Sequence, residues 1–70
     1  MNRTSISNSS NILSIGYDPK NNILEVEFSN GGIYQYFDVP QSIFDEILIA
    51  ESAGKFLSTQ VKGVYRYAKL

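Results

Sequence analysis

The sequence predicts an α+β fold: a three-stranded antiparallel meander packed by two short helices, open to a short fourth strand at the C-terminus. Three observations predict it. Leu24, Val26 and Phe28 alternate with Glu25, Glu27 and Ser29, the two-residue period of a strand with one face buried and the other wet. Asn30-Gly31-Gly32 follows, and these residues tolerate the positive φ that a tight turn needs. Downstream the period lengthens, so that Ile43, Phe44, Ile47 and Leu48 share one helical stripe with Asp45 and Glu46 off it.

Residues 1–11 are rich in Ser and Asn, which favour local side-chain hydrogen bonds, and are expected as an N-terminal loop or loose edge to a single domain over 12–70. Leu13, Ile15 and Tyr17 alternate with Ser14, Gly16 and Asp18 as a first strand, and Asp18-Pro19-Lys20-Asn21-Asn22 turns the chain into the second. The next turn decides the face of Tyr34 and Tyr36, because a one-residue slip moves every side chain across the sheet. A two-residue turn at Asn30-Gly31 sets Phe28 opposite Ile33 and buries Gln35. A three-residue turn with Gly32 as the left-handed residue sets Phe28 opposite Tyr34, Val26 opposite Tyr36 and Gln35 opposite Glu27, and is preferred.

Pro40 suits the first turn of a helix, where its missing N–H costs nothing. Leu24, Val26, Phe28, Ile43, Phe44, Ile47 and Leu48 are then the expected core between sheet and first helix. Ser52 stands where it caps a second helix, in which Ala53, Phe56, Leu57 and Val61 make the apolar face and Gly63 the stop. Val64 to Leu70 alternates again as the short terminal strand. Gly63-Val64-Tyr65-Arg66-Tyr67 echoes Gly32-Ile33-Tyr34-Gln35-Tyr36, a form that two strands of one sheet produce from the same β-favouring residues.

Seventy residues lie near the small end of what folds alone, where only about 60% of the unfolded surface is buried. A homo-oligomer, dimer or tetramer, is therefore expected. With neither cysteine nor histidine there is no disulfide, thiolate nucleophile, imidazole base or Cys/His zinc site. No apolar run has signal-peptide or membrane-span character, so the expectation is a soluble cytoplasmic protein without membrane partners. Charge is polarised along the chain. Up to residue 51 two basic side chains face all seven acidic ones, a net −5, whereas 52–70 holds Lys55, Lys62, Arg66 and Lys69 and no acid, a net +4.

Ser52-Ala53-Gly54-Lys55 places a hydroxyl, bare backbone and an ammonium at a helix N-terminus, a candidate phosphate site, although an ordinary serine cap needs the same residues. Its spacing is not that of a P-loop. Tyr34, Tyr36, Tyr65 and Tyr67 offer faces on which bases stack, and Arg66 and Lys62 offer cations for phosphate. Paired tyrosines on half-buried strands also serve as core, the more ordinary use for Tyr34 and Tyr36. Glu25, Glu27, Asp45 and Glu46 lack a second catalytic component and are expected as solvated carboxylates, which argues against an enzyme and against a cofactor.

Tyr34-Gln35-Tyr36, Val39-Pro40 and Ser52-Ala53-Gly54-Lys55-Phe56, with Ser9-Ser10-Asn11, Gly16-Tyr17-Asp18, Val61-Lys62-Gly63 and Tyr65-Arg66-Tyr67, give the chain its resemblance to the KTSC domain family. These are short modules found alone or at the C-terminus of some lysyl-tRNA synthetases. The resemblance implies a small α+β domain with a suggested RNA-binding role and no catalytic residues. Family members often carry an aromatic and then Asn where this chain has Lys55-Phe56-Leu57-Ser58, so a contact made by that Asn does not carry over.

Strong binders of long nucleic acid neutralise about 6–10 phosphates, and this chain has six basic residues against seven acids. That count favours a small or cyclic oligonucleotide, where the resemblance suggests RNA, in a site completed between subunits. Such a protein acts by holding its ligand, for instance sequestering a nucleotide signal as small phage inhibitors of bacterial defence do. The alternative expectation is a protein-interaction module using the sheet edge or the helix through 43–48.

Overall fold

The computed structural model describes residues 2–70. It comprises β1 (Arg3–Ser5), β2 (Ile12–Asp18), β3 (Ile23–Phe28), β4 (Ile33–Tyr36), α1 (Gln41–Ile49), α2 (Ala53–Gln60) and β5 (Tyr67–Lys69). The five strands form one antiparallel sheet in the order β1-β2-β3-β4-β5, with both helices inserted between β4 and β5. The α+β class is as expected, but the sheet has five strands. The terminal strand forms over three residues, and Arg3–Ser5 adds an edge strand by pairing with Gly16, Ile15 and Ser14. Arg-Thr-Ser has no apolar alternation to announce it. Its backbone pairs with β2, and Arg3 Nε donates to Glu25 Oε2 at 2.8 Å.

The hairpin turn has three residues, as preferred, but they are Ser29-Asn30-Gly31, closed by Phe28 N–H to Gly32 O at 2.8 Å and Gly31 N–H to Phe28 O at 3.0 Å. Gly31, not Gly32, takes the left-handed conformation, at φ 93°. The register therefore differs by two residues from the expected one: Val26 pairs with Tyr34, Leu24 with Tyr36 and Glu25 with Gln35. A slip of two preserves faces, so Tyr34 and Tyr36 do share the apolar side with Val26 and Leu24.

In β2 the alternation is broken by a bulge between Ile12 and Ser14. The extra residue turns Leu13 outward, 49% exposed, and brings Ile12 into the core beside Ile15. The buried set is Ile12, Ile15, Leu24, Val26, Tyr36, Val39, Ile47, Ala53, Leu57 and Val61. Of the expected core, Phe28, Ile43 and Phe44 are only half-buried against this cluster, and Leu48 faces outward. The stripe on α1 is turned so that Ile47 alone is fully covered. Pro40 is the residue before the helix rather than in its first turn. The second helix follows expectation, since Ser52 Oγ accepts from Lys55 N–H and Ala53, Leu57 and Val61 are buried.

Tyr17 ties the two ends of this arrangement. Its hydroxyl is shared between Val39 O and Asn22 Oδ1, its ring stacks on Phe44 at 5.5 Å, and Val39 N–H donates to Asn22 O. The opposite sheet face is a polar network rather than a row of solvated carboxylates. Glu25 is 8% exposed and accepts from Gln35 Nε2 at 2.9 Å as well as from Arg3, while Ser14 Oγ donates to Glu27.

Ile47→Ala and Leu57→Ala, each emptying a fully buried position, are expected to cost ~2–5 kcal/mol in urea denaturation, and half-buried Phe44→Ala less than either. The hydrogen bond from Gln35, followed by Arg3, holds the Glu25 carboxyl below its usual pKa. Its stabilisation is present above the ordinary glutamate range and lost as pH falls through the lower folded value. Gln35→Ala should therefore flatten part of the acid limb of a stability–pH profile. An unchanged acid limb would exclude this source.

Candidate functional site

The first helix packs against β2 and α2, and at the β4–β5 half of the sheet Tyr36 is buried while Tyr67 stays largely exposed. That half carries Tyr34 and Tyr36 from β4 and Tyr67 from β5, which pairs directly with Tyr36. The rings form a connected set. Phe28 meets Tyr34 edge-on at 5.3 Å, Tyr34 lies 5.7 Å from Tyr67, and Tyr67 lies 5.9 Å from Tyr36.

Together with Asn30, Lys62 and Gly63, these four rings line a groove of about 310 Å³. Lys62 enters from the end of α2, with Nζ 5.1 Å from the Phe28 ring centroid, and Lys69 Nζ stands 6.0 Å from that of Tyr34. Gly63, at φ 79°, reverses the chain here and opens the way to β5. Asn30 Oδ1 is fixed by Gly32 N–H at 2.9 Å. Among the described residues the groove lining holds no carboxylate, so the Lys62 ammonium, the Asn30 amide and three phenols set its chemistry.

The site residues expected from sequence divide among three hollows. Lys62, Tyr34, Tyr36 and Tyr67 meet in the aromatic groove. Tyr65 and Arg66 line a second hollow with Phe37 and Val64, which shares Gly63 and Tyr67 with the groove. Arg66 pairs there with Asp38 at 3.0 Å, both side chains well exposed, a contact of small energetic weight. Ser52, Gly54 and Lys55 line a third hollow with Asn8, Ser9, Ser10, Asn11 and Ser58, none of which borders the other two.

In that third hollow the N-terminal loop uses the bare backbone that the sequence suggested for an anion. A Cβ on Gly54 would stand 2.7 Å from Ser9 Oγ, the oxygen that accepts from Asn11 N–H. Asn8 bridges the helices, donating to Ala50 O and accepting from Ala53 N–H. Gly54 thus has a packing role. Phe28, Asn30 and Lys69 were not among the expected site residues. The shared parity of Phe28 and Tyr34 was the available signal for the first, whereas Asn30 and Lys69 depend on how the turn and β5 close around the rings.

A five-stranded antiparallel sheet, packed by two helices and ending in a tyrosine-lined groove, is the class of small domain this chain forms. The sequence profile of the KTSC domain matches residues 8–65, and the chain belongs to that family. It is similar over nearly its whole length to a KTSC domain protein from Yersinia pestis, with a TM-score of 0.91 and 41% identity, covering 99% of this chain and 96% of that one. A protein of Tsukamurella paurometabola is 44% identical over 62 residues, covering 89% of this chain and 92% of its own. An uncharacterized protein of Stutzerimonas stutzeri is 43% identical over 63 residues, covering 89% of each. A lysine–tRNA ligase of Nostoc sp. is 37% identical over 54 residues, and the match spans 77% of this chain but 10% of the ligase.

Gly54→Ala places a better helix former in the first turn of α2 but drives Ser9 Oγ from its bond to Asn11, so it is expected to be near neutral alone. In a Ser9→Ala background the same change should stabilise by up to ~1 kcal/mol in urea denaturation. Equal effects in both backgrounds would show that the contact carries no weight.

Proposed function

We propose that this domain is a non-catalytic nucleotide-binding module that takes RNA or a small oligonucleotide in the aromatic groove and acts by holding it, as a homo-oligomer. The observation that carries this reading is the meeting of Phe28, Tyr34, Tyr36 and Tyr67 with Lys62 around one opening whose lining, among the described residues, holds no carboxylate, with Lys69 beside the Tyr34 ring. Rings supply faces for bases at about 1–3 kcal/mol each, and ammoniums beside them supply phosphate contacts. The neighbouring hollow, which shares Gly63 and Tyr67 with the groove, would offer a longer strand Tyr65 and Arg66. That relatives named lysine–tRNA ligases contain a matching segment agrees with an RNA ligand. Six basic residues in a chain of net charge −1 favour a ligand met by few phosphates, and joining copies raises the number available. Sequestration of a small nucleotide signal, including a cyclic oligonucleotide, is the cytoplasmic role that such a site would serve.

Calorimetric titration with short single-stranded RNAs, mononucleotides and cyclic dinucleotides tests this, with light scattering to count subunits. Lys62→Ala and Lys69→Ala should weaken binding, by amounts that shrink at high salt, and Tyr67→Ala by an amount that persists. Lys55→Ala, in a separate hollow, should change little. No heat with any of these ligands from folded protein would overturn the reading and leave a protein partner as the better one.

A further inference from the structure

Tyr17 and Tyr36 use their hydroxyls differently. The hydroxyl of Tyr17 is taken up by Val39 O and Asn22 Oδ1, which closes the fold around it. Tyr36 is more deeply placed, 3% exposed, yet its hydroxyl has no hydrogen-bond partner among the described residues. A buried phenol ordinarily finds one. No sealed side-chain oxygen or nitrogen among the described residues lacks a partner, so the surface that Tyr36 retains must include its oxygen. The groove is the opening that Tyr36 lines.

The shape around that oxygen limits what enters. The groove's volume, about 310 Å³, lies at the lower end of the ~300–1,000 Å³ usual for small-molecule sites. Its rings are inclined to one another, by 38° between Tyr34 and Tyr67, 41° between Tyr36 and Tyr67 and 89° between Phe28 and Tyr34. Successive stacked bases are parallel and would need parallel platforms. Inclined rings instead form the walls of a cup for one planar group, with Lys62 in its lining and Lys69 beside the Tyr34 ring for a phosphate.

Resting on the nucleotide reading, we infer that the groove takes one unpaired nucleotide at a time and that the Tyr36 hydroxyl donates to a carbonyl oxygen or bare ring nitrogen on the edge of its base. A base inside a duplex is held in the stack and cannot enter a cup between inclined rings, so duplex RNA is refused. Desolvation of Tyr36, reinforced by Tyr34 and Tyr67, raises its pKa above the usual phenol value, which keeps the proton on the oxygen. Tyr36 thereby becomes the residue that recognises a base as opposed to any flat apolar ring.

NMR titration with uridine monophosphate, whose base carries two carbonyl oxygens, tests this on wild type, Tyr36→Phe and Tyr17→Phe, with single-stranded and duplex RNA of the same length as competitors. The expected result is one nucleotide per groove, affinity about three- to tenfold weaker in Tyr36→Phe, unchanged affinity in Tyr17→Phe despite a lower melting temperature, and competition by the single strand alone. Unchanged affinity in a folded Tyr36→Phe, binding of the single strand without the mononucleotide, or equal competition by the duplex would each overturn the inference while leaving the nucleotide reading in place. Absence of binding by any RNA or nucleotide to wild type would overturn both. Should Tyr36→Phe fail to fold, the ζ-carbon resonances of labelled tyrosine in wild type decide: Tyr36 must shift on binding and Tyr17 must not.

Discussion

The fold depends on how much of one sheet face two short helices can cover. At 1.5 Å per residue, α1 and α2 are only about 14 and 12 Å long, and five strands at ~4.8 Å spacing measure about 19 Å from edge to edge. The buried aliphatic residues of the sheet come from β2 and β3, and α1 packs against β2. On β4 and β5 the same face is finished by aromatic rings with polar tips, which can border water where Leu or Ile would not. The groove thus lies at the margin of the core face, where Tyr36 is buried and Tyr67 exposed, and its aromatic character follows from that position.

The Ser/Asn-rich loop performs a related task at the other end of α2. Asn8 holds the carbonyl of Ala50, just past the first helix, and the first amide of the second, and Ser9 seats against Gly54. With β1 paired to β2 and Arg3 bound to Glu25, the N-terminal segment fastens both the far sheet face and the turn between helices. The segment has a single apolar anchor packed against the core, Ile6, so these polar bonds help offset the entropy lost in ordering it.

Legibility differed with the range of the determining interaction. The β3 alternation, the Ser52 cap and the α2 face are set by neighbours in sequence, and all three were readable. The hairpin register was not, because Gly31 and Gly32 are locally equivalent and only the completed ladder chooses Gly31 for the left-handed position. Face parity survived because the error was two residues. The Leu13 bulge erased parity in β2, exchanging an expected inward leucine for Ile12. At the candidate site, the company of Tyr34 and Tyr36 was legible from alternation. The separation of Lys55 from Arg66 was not, since it depends on how α2 is laid across the sheet.

The crowding of phenols has an optical consequence. The chain contains no tryptophan, so its ultraviolet emission comes from five tyrosines alone, and three of them stand in one connected set around the groove. Excitation can pass among rings this close, so that light absorbed by any of the three can emerge from, or be quenched at, another. A guest seated between them would alter the emission of the cluster as a unit, and the protein carries its own reporter of occupancy without any label.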